Sequence, residues 1–594
     1  MRHSGSFALV SLLTLSGAAC SAGSPVGGGD HPGAGAASAS GGKGGTAGAG
    51  GGGGTANSGG GSAKGGTTTG GSSATGGSSA TGGSGGSGGV IGAELACTES
   101  KLGSPALRLL TRRELENTLN DIFPSVKGQW SDTLPANSST YYGFDNDAGA
   151  AVNNQMVSAL FDTALSLATA VTGSGLAALL PCAGTTKDHA CAQTFVDDFG
   201  RRLFRRPVAS AEGTRYLALF DSGLALADFP TALKWVIAGM IQSPYAVYRS
   251  ELGTDNGDGT RTLSAYEVAT EFAYTFSGTT PTAALLDQVA NGTAVDPLMI
   301  AKSLLATDSG KEVIHHFFEA YLGYSSGAAA LRTLTDPAPT AGLDFVDVAP
   351  DMLKETHDFI ADVVLGKGGG LVDLLTSPQT NPSQKLATYY GFPSPASNGA
   401  AVMRPAGRGI GVLAQGAFLS SHANVDASSP TQRGLFAFYR LMCQPKRTPP
   451  DGVPPRPGTD KAKTTRELYE EQHATPGSSC ASCHQFFDPI GFGFENFDQG
   501  GRFRTAQNGT PVDPAATAYD GNGDEFSFTS EEDLVTQLAN QVESYQCLSA
   551  YLSTYAFGSP ASCLGPTLHD NASSIVDAYA NLAAEPNFAQ RNAQ

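Results

Sequence analysis

The chain has 594 residues and a formal net charge of −18. Its length predicts several domains, and the excess of acidic residues excludes the basic surface of a nucleic-acid or anionic-lipid binder. An acidic surface fits a soluble protein that meets a cationic redox partner.

Residues 1–20 are typical of an export signal. Arg2 and His3 precede a short apolar run from Phe7 to Leu15, and small residues then lead to Cys20. A run this short cannot cross a hydrocarbon core about 30 Å thick as a helix, so it indicates a signal peptide. The ending resembles a bacterial lipobox and predicts lipidation of Cys20; an ordinary signal peptide cut nearby is the alternative. No later apolar run predicts a membrane-spanning helix.

Residues 21–95 consist almost wholly of Gly, Ser, Ala and Thr. Such a segment cannot bury enough apolar surface to offset its ordering entropy, so it is predicted to be a disordered tether. Together with the lipidated cysteine, it places the folded part in the periplasm or at the cell surface, anchored to the outer membrane.

The remaining sequence predicts a mainly α fold, a multi-module helical scaffold with long irregular connections. A capping box, Thr111-x-x-Glu114, begins the first helix, and Phe526–Phe528 is a possible edge hairpin. Apolar residues at helical spacing predict further helices at Gln193–Arg206, Phe229–Val247, Ser264–Ser277, Pro297–Ala306, Lys311–Leu322 and Ala349–Leu365. Breaks in the pattern divide the chain into modules at 96–252, 260–391, 401–528 and 529–590.

The clearest chemical motif is Cys480-Ala-Ser-Cys483-His484. Haem-c attachment needs two thiols that add to the vinyl groups and an imidazole that ligates iron, and C-x-x-C-H supplies all three on one turn of chain. The motif predicts one covalent haem c, with His484 as the proximal ligand. Three alternatives are a redox-active C-x-x-C, a zinc site and a structural Cys480–Cys483 disulfide; the first two lack the βαβ setting or the second ligand pair that they need.

Nine cysteines occur in the chain, and six remain after Cys20 and the haem pair. An even remainder in an exported protein predicts three disulfides. Short loops are easiest to close, which favours Cys182 with Cys191 and Cys547 with Cys563, and leaves Cys97 for Cys443.

The sixth iron ligand is left open by the sequence. No methionine follows the motif, which excludes the usual ligand of small c-type cytochromes. His473 is the nearest donor and would give bis-histidine iron, whereas an open position would permit oxygen or peroxide chemistry. The other candidates are His569, His422, Met442 and Met403. His315 and His316 fit a structural role, and neither His189 nor His357 has ligand spacing.

Residues from about 100 to 590 resemble the large exported five-module proteins of unknown function that are abundant in planctomycetes and myxobacteria. Four segments are similar to the first four modules: Leu109–Leu119 with Gly143–Asn146, Phe195–Pro207, Leu263–Ser277 with Phe317–Leu322, and Gln432–Arg504. The last module would be Leu534–Gly558, with Ser559 where an arginine is usual.

The resemblance implies a small c-type haem-binding module in an exported protein, and no particular reaction. A histidine shortly before the first haem cysteine belongs to the family pattern, which supports His473 as a metal ligand. Asp488, Glu495, Asp498 and Arg504 are candidates to anchor the proximal imidazole or the haem propionates, with Arg504 as a cofactor-binding residue. For Asp488 the alternative is that Asp488-Pro489 and the neighbouring glycines build the turn after the haem helix.

Together these features predict an exported, lipid-anchored c-type haem protein for electron transfer, with a redox partner protein or a small extracellular substrate. The alternatives are a haem enzyme of oxidase or peroxidase type and a cell-surface binding protein, for example for polysaccharide.

Overall fold

The first helical block begins at a capping box, as predicted. Thr111 Oγ1 accepts a hydrogen bond from the Glu114 amide, and the Glu114 carboxylate accepts one from the Thr111 amide. This cap starts α1, whose inner face buries Leu115, Leu119 and Ile122. The helices of the block are α1 Arg112–Ile122, α2 Asn154–Ala170, α3 Leu176–Leu179, α4 His189–Phe204, α5 Ser210–Leu226, α6 Phe229–Ile241 and α7 Pro244–Val247.

The computed structural model describes residues 102–135, 143–146, 150–180, 182, 187–292, 296–324, 331, 334, 340–445, 457–458, 460, 462–558 and 573–593. All of them belong to one compact unit. The predictions for the signal peptide, the tether, Cys20, Cys97, Cys563 and His569 lie outside the described residues.

Two of the predicted helices in this block end earlier than expected. The helix predicted to run to Arg206 ends at Phe204, because Arg205 adopts a left-handed conformation with φ of 59°. The buried Arg205 guanidinium donates to the carbonyl oxygens of Tyr245 and Tyr248 at 2.6 Å each, which stabilises the strained backbone. The helix predicted over Phe229–Val247 is broken into α6 and α7, since proline at position 244 lacks the amide that a continuous helix needs.

A central block follows, and its helices agree with the sequence to within a few residues. Ser264 caps α8 through a second capping box with Glu267. The predicted helix at Ala349–Leu365 starts earlier, at Phe345, and its last turns become a π-helical segment, Ala361–Gly366. The helices are α8 Ala265–Ser277, α9 Ala283–Ala290, α10 Pro297–Leu305, α11 Asp308–Tyr321, α12 Phe345–Ile360, α13 Leu371–Thr376 and α14 Gln384–Tyr390.

The last block carries the haem motif and ends in three further helices. Its helices are α15 Gly416–Ser421, α16 Pro430–Phe436, α17 Thr465–His473, α18 Ala481–His484, α19 Asp488–Phe492, α20 Glu531–Asn540, α21 Val542–Phe557 and α22 Ile575–Asn581. A π-helical segment, Ala437–Leu441, continues α16.

Strands are short and all paired antiparallel. The strands are β1 Ala106–Leu109, β2 Tyr248–Glu251, β3 Thr254–Asp255, β4 Thr260–Thr262, β5 Gln379–Thr380, β6 Val402–Met403, β7 Ala506–Gln507, β8 Thr510–Pro511, β9 Ala516–Tyr519, β10 Glu525–Phe528 and β11 Gln590–Asn592. The pairs are β1 with β2, β3 and β11 with β4, β5 with β6, β7 with β8, and β9 with β10. The predicted edge hairpin is β9–β10. The fold is therefore mainly α with irregular connections, as expected.

The described residues form two hydrophobic cores. The first is formed by residues between Leu109 and Val247 together with Tyr274. The second runs from Phe144 and the central block to Phe588, so the central and last blocks share it. Arg591 in β11 donates to the buried Glu251 carboxylate of β2, at 2.6 Å from Nη2 to Oε2, and thereby ties the end of the described chain to the first block.

One of the two disulfides among the described residues was predicted from the sequence, and the other was not. Cys182 is bonded to Cys191, as predicted. The prediction that Cys547 pairs with Cys563, and Cys97 with Cys443, is wrong, because Cys443 is bonded to Cys547. Each doubling of a loop costs only about 0.6 kcal/mol of closure entropy, so the packing of α21 against Ala437–Leu441, next to Cys443, outweighs the preference for a short loop.

Among the described residues, the segment Asn154–Leu179 is by length and composition able to cross a membrane. The sequence indicated no such helix because polar residues such as Thr163 and Ser166 interrupt its apolar runs. Its inner face, including Leu160 and Leu167, belongs to the first core, and α2 packs on α6. Core helices of soluble proteins have the same length and composition.

Candidate functional site

The C-x-x-C-H motif forms one turn of helix. Cys480 precedes α18, and the His484 amide donates to the Cys480 carbonyl at 3.0 Å. This turn places both thiols and the imidazole on one short segment. Cys480 and Cys483 are half-buried and free, so the structure does not contain the alternative Cys480–Cys483 disulfide.

His473 is the last residue of α17, and the helix brings it to the haem motif. A capping box between Thr464 and Glu467 starts α17. Its buried face carries Tyr469 and His473 one turn apart, and the two rings contact edge to face with centroids 5.1 Å apart. The Tyr469 hydroxyl is itself held by Asn424 and Ser429. The ring of His473 is therefore fixed by packing.

Both histidines meet at the carboxylate of Asp488, the first residue of α19. Asp488 Oδ2 lies 2.7 Å from His473 Nδ1 and 2.9 Å from His484 Nδ1. The other oxygen, Oδ1, accepts from the Thr431 hydroxyl at 2.6 Å. One buried carboxylate thus orients two imidazoles.

Asp488 is ionised, which sets the hydrogen-bond direction. Burial alone would raise the pKa of this carboxyl, but the hydrogen bonds from His473 and His484 hold the pKa below its ordinary value. A carboxylate can only accept hydrogen bonds, so Nδ1 of each ring carries the proton. In the neutral form of either imidazole, Nε2 then has the lone pair that a metal would need.

The two imidazoles are in contact with each other. The ring centroids of His473 and His484 lie 3.7 Å apart at 38°, which is close to van der Waals separation. Phe487 packs on the second ring with centroids 4.8 Å apart. No third group fits between the histidines in this arrangement.

A cavity of about 550 Å³ opens beside this pair. That volume lies within the range of about 300–1,000 Å³ that is usual for small-molecule and cofactor sites. His473, His484 and Asp488 are part of its lining, together with Tyr469 and Phe492. Cys480 and Cys483 are not part of the lining.

Two glycines allow the helices that carry the site to pack closely against each other. A Cβ atom on Gly434 in α16 would overlap the Phe487 carbonyl, and one on Gly491 in α19 would overlap the Pro430 carbonyl. The close approach of α16 and α19 lets Thr431 reach Asp488. Beside it, the buried Arg433 donates to the carbonyls of Leu419, Phe494, Phe497 and Asp498 at 2.8–3.1 Å.

The remaining residues proposed around the haem form a separate polar cluster. Arg504 Nη2 donates to Glu495 Oε2 and to Ser428 Oγ, both at 2.9 Å. Asp498 pairs with Arg502 at 2.8 Å. None of Glu495, Asp498 and Arg504 lines the cavity, and cofactor binding by Arg504 stays a prediction.

The other candidates for a sixth ligand lie elsewhere. His422 packs against Phe418, Met442 is fully buried in the second core, and Met403 is exposed on β6. None of the three lines the cavity. The sequence missed Thr431 and Tyr469, although Thr431 stands directly before the Gln432-Arg-Gly434 motif and could have been found by its position.

Family models match four stretches of the chain, each described as a protein of unknown function: PSD3 (DUF1587) at 108–173, PSD5 (DUF1595) at 191–251, PSD4 (DUF1592) at 263–392 and PSCyt3 (DUF1588) at 408–507. The chain belongs to the large multi-module proteins of unknown function that carry these domains. The four segments that resemble the first four modules of the family lie within these matches, and the fifth, Leu534–Gly558, stays a prediction. No curated protein and no solved structure matches the chain.

The donor set of the fourth module fits a haem-c group. Two free thiols and an imidazole lie on one helical turn, and the imidazole has the carboxylate partner that metal-bound histidines usually have. Because neither sulfur lines the cavity, haem attachment requires a rearrangement of the turn at Cys480–His484.

Proposed function

We propose that the chain is an exported, lipid-anchored c-type haem protein that transfers electrons outside the cytoplasm. The observation that carries the proposal is the pair formed by His484 and Asp488, one turn after two free thiols. A carboxylate on Nδ1 fixes the tautomer of a ligating histidine and makes it a stronger donor. The expected roles of the signal peptide and of Cys20 belong to this proposal.

Each of these residues would have a distinct role in holding the haem. Cys480 and Cys483 would hold the haem through thioether bonds. His484 would offer Nε2 to the iron, while the Asp488 carboxylate would keep the proton on Nδ1. When bound, the haem supplies a one-electron couple between ferric and ferrous iron. Tyr469, Phe487 and Phe492 give the site an apolar wall, which limits contact of the site with water.

His473 is the proposed sixth ligand, and this role requires its ring to move away from that of His484. Its ring contacts that of His484, so the two rings would have to separate before both could hold the same haem. If His473 instead keeps its contact with Asp488, the sixth position opens on the cavity of about 550 Å³. The chain would then be a haem enzyme of oxidase or peroxidase type acting on a small extracellular substrate.

A second candidate function follows from the same three side chains without haem. His473, His484 and Asp488 each offer one ligand atom, and these atoms lie within 4.8 Å of one another. Two histidines and one carboxylate are the ligand set of mononuclear non-haem iron sites and of many catalytic zinc sites. The cavity at this cluster would hold the substrate.

One experiment separates the candidates. The full chain is co-expressed with haem-c maturation enzymes, purified, and analysed by pyridine-haemochrome spectroscopy and elemental analysis. One covalent haem per chain supports the first proposal. A chain without haem that holds one iron or zinc ion, lost in His473→Ala, supports the mononuclear site and contradicts the haem assignment.

A further inference from the structure

A second group of histidines and a carboxylate lies on the central block, away from the haem motif. Glu312 and His315 are three residues apart on α11, and His357 lies on α12. Residues three apart on a helix point to the same face. One ligand atom from each of the three side chains lies within 4.8 Å of the others.

The two histidine rings are stacked, with centroids 3.6 Å apart and an angle of 12° between their planes. His357 is 42% exposed and Glu312 is 63% exposed, whereas His315 is buried. The group therefore has one buried nitrogen donor, one accessible nitrogen donor and one accessible carboxylate.

His315 Nδ1 is buried and has no hydrogen-bond partner among the residues that the structure describes. A buried polar atom left without a partner costs about 1–3 kcal/mol, so its presence needs an explanation. A cation bound to the His315 ring would supply the missing interaction.

His357 has the partners of a ligating imidazole. Its Nδ1 lies 3.6 Å from Asp358 Oδ1, and its Nε2 lies 3.7 Å from Glu312 Oε1. Ligating histidines commonly direct their second nitrogen to a carboxylate, here Asp358. Lys354 binds the Asp358 carboxylate at 2.6 Å, which leaves Glu312 as the anionic donor.

We propose that Glu312, His315 and His357 form a binding site for one divalent transition-metal ion, with Zn²⁺ as the expected occupant. Nitrogen and carboxylate donors suit Zn²⁺, which takes four ligands at about 2.0–2.2 Å. Water fills the fourth position. Coordination requires the parallel rings to turn so that their lone pairs converge, and the ion then links α11 to α12.

The test is a Zn²⁺ titration of the purified full chain, followed by calorimetry and by the shift in thermal unfolding temperature. The wild type is expected to bind Zn²⁺ at this site and to unfold at a higher temperature when it is present, because a ligand of the folded state stabilises that state. His357→Ala should weaken this binding more than the roughly 10–100-fold that loss of a second-shell partner costs. Glu312→Gln, which changes an exposed side chain, should weaken it at least about 10-fold by the same scale.

Two controls identify the site. His189→Ala removes an exposed histidine that is likewise paired with a carboxylate, Asp221 at 2.9 Å, and should leave the binding unchanged. His473→Ala removes a donor of the cluster at Asp488 and should likewise leave Zn²⁺ binding at the Glu312–His315–His357 site unchanged. The proposal is overturned if the wild type binds no Zn²⁺, or if His357→Ala and Glu312→Gln bind it as tightly as the wild type.

Discussion

Asp488 Oδ2 accepts a hydrogen bond from His473 Nδ1 at 2.7 Å, and the same oxygen accepts one from His484 at 2.9 Å. A single carboxylate oxygen therefore sets the positions of the proximal histidine and of the proposed sixth ligand. In the proposed haem protein, movement of His473 away from this oxygen would decide whether His473 serves as the second histidine ligand.

Substitution His473→Ala tests the sixth ligand. In the haem-loaded chain, the wild type is expected to give a low-spin spectrum that cyanide does not change, because two imidazoles occupy the axial positions. The variant should become high-spin in the ferric state and should bind cyanide. His422→Ala, which changes a histidine outside the cavity, is the control. An identical spectrum in His473→Ala would exclude this residue as the ligand.

Replacing Asp488 with asparagine tests the orienting carboxylate. The amide keeps the size of the side chain but can no longer accept from both histidines as an anion. Loss of such a partner typically costs about 10–100-fold in metal affinity or activity. We expect a fall in the fraction of chains that carry covalent haem, measured by haemochrome absorbance per protein. Thr431→Val, which removes only the hydroxyl on Oδ1, should have a smaller effect.

The disulfide between Cys443 and Cys547 should contribute more stability than the short one. It closes a loop with a sequence separation of 104, against 9 for Cys182–Cys191. The chain-entropy relation gives about 4.7 kcal/mol for a loop of about 100 residues, and less for shorter loops. Cys547→Ser should therefore lower the free energy of unfolding more than Cys182→Ser does. Mass spectrometry of the unreduced peptides checks the connectivity, and a Cys547–Cys563 peptide would contradict it.

Glu531 gives the second core a pH dependence. Burial raises the pKa of this carboxyl to about 8. Oε2 accepts a hydrogen bond from the Ile410 amide at 3.0 Å, and Oε1 has no partner within the described part of the chain. An unfolded glutamate has a pKa near 4.3, so the folded state binds the extra proton between these values.

The contribution of Glu531 to the free energy of unfolding is therefore most favourable below about pH 4.3. It falls as pH rises towards 8, by up to about 1.4 kcal/mol per pH unit. Glu531→Gln removes the titration, so its advantage over the wild type should grow across that window. Urea unfolding at a series of pH values measures it, and a difference that does not change with pH would contradict the assignment.

Gly434→Ala tests the contact between α16 and α19. The added methyl group would overlap the Phe487 carbonyl, and forced overpacking typically costs about 1–3 kcal/mol. We expect a lower unfolding temperature together with reduced haem content, since Thr431 and Asp488 would move apart. Gly173→Ala, whose added Cβ meets nothing within 4 Å, is the matched control and should be close to neutral.

Much of the helical architecture follows from local signals. Capping boxes at Thr111 and Ser264 start α1 and α8. The sequence predicted the first box, and its apolar periodicity placed the start of the other helix at Ser264. The ends were harder to predict, because the left-handed turn at Arg205 is stabilised by carbonyls more than thirty residues away. Local periodicity contains no information about such contacts.

The candidate site was also predictable where local motifs define it and not where distant packing does. The C-x-x-C-H spacing and the family pattern identified His473, His484 and Asp488, which the structure brings together. The stacking of His315 on His357 was not predicted. The two residues lie on different helices, and no motif in the sequence connects them. The pairing of Cys443 with Cys547 was missed for a similar reason, since helix packing rather than loop length decides it.

The most direct test of the central claim is the pyridine-haemochrome spectrum of the purified full chain after co-expression with haem-c maturation enzymes. We expect one haem per chain that resists acid–acetone extraction, and its loss in the double variant Cys480→Ala/Cys483→Ala. A wild-type chain without covalent haem, when a control cytochrome matures in the same cells, would contradict this claim.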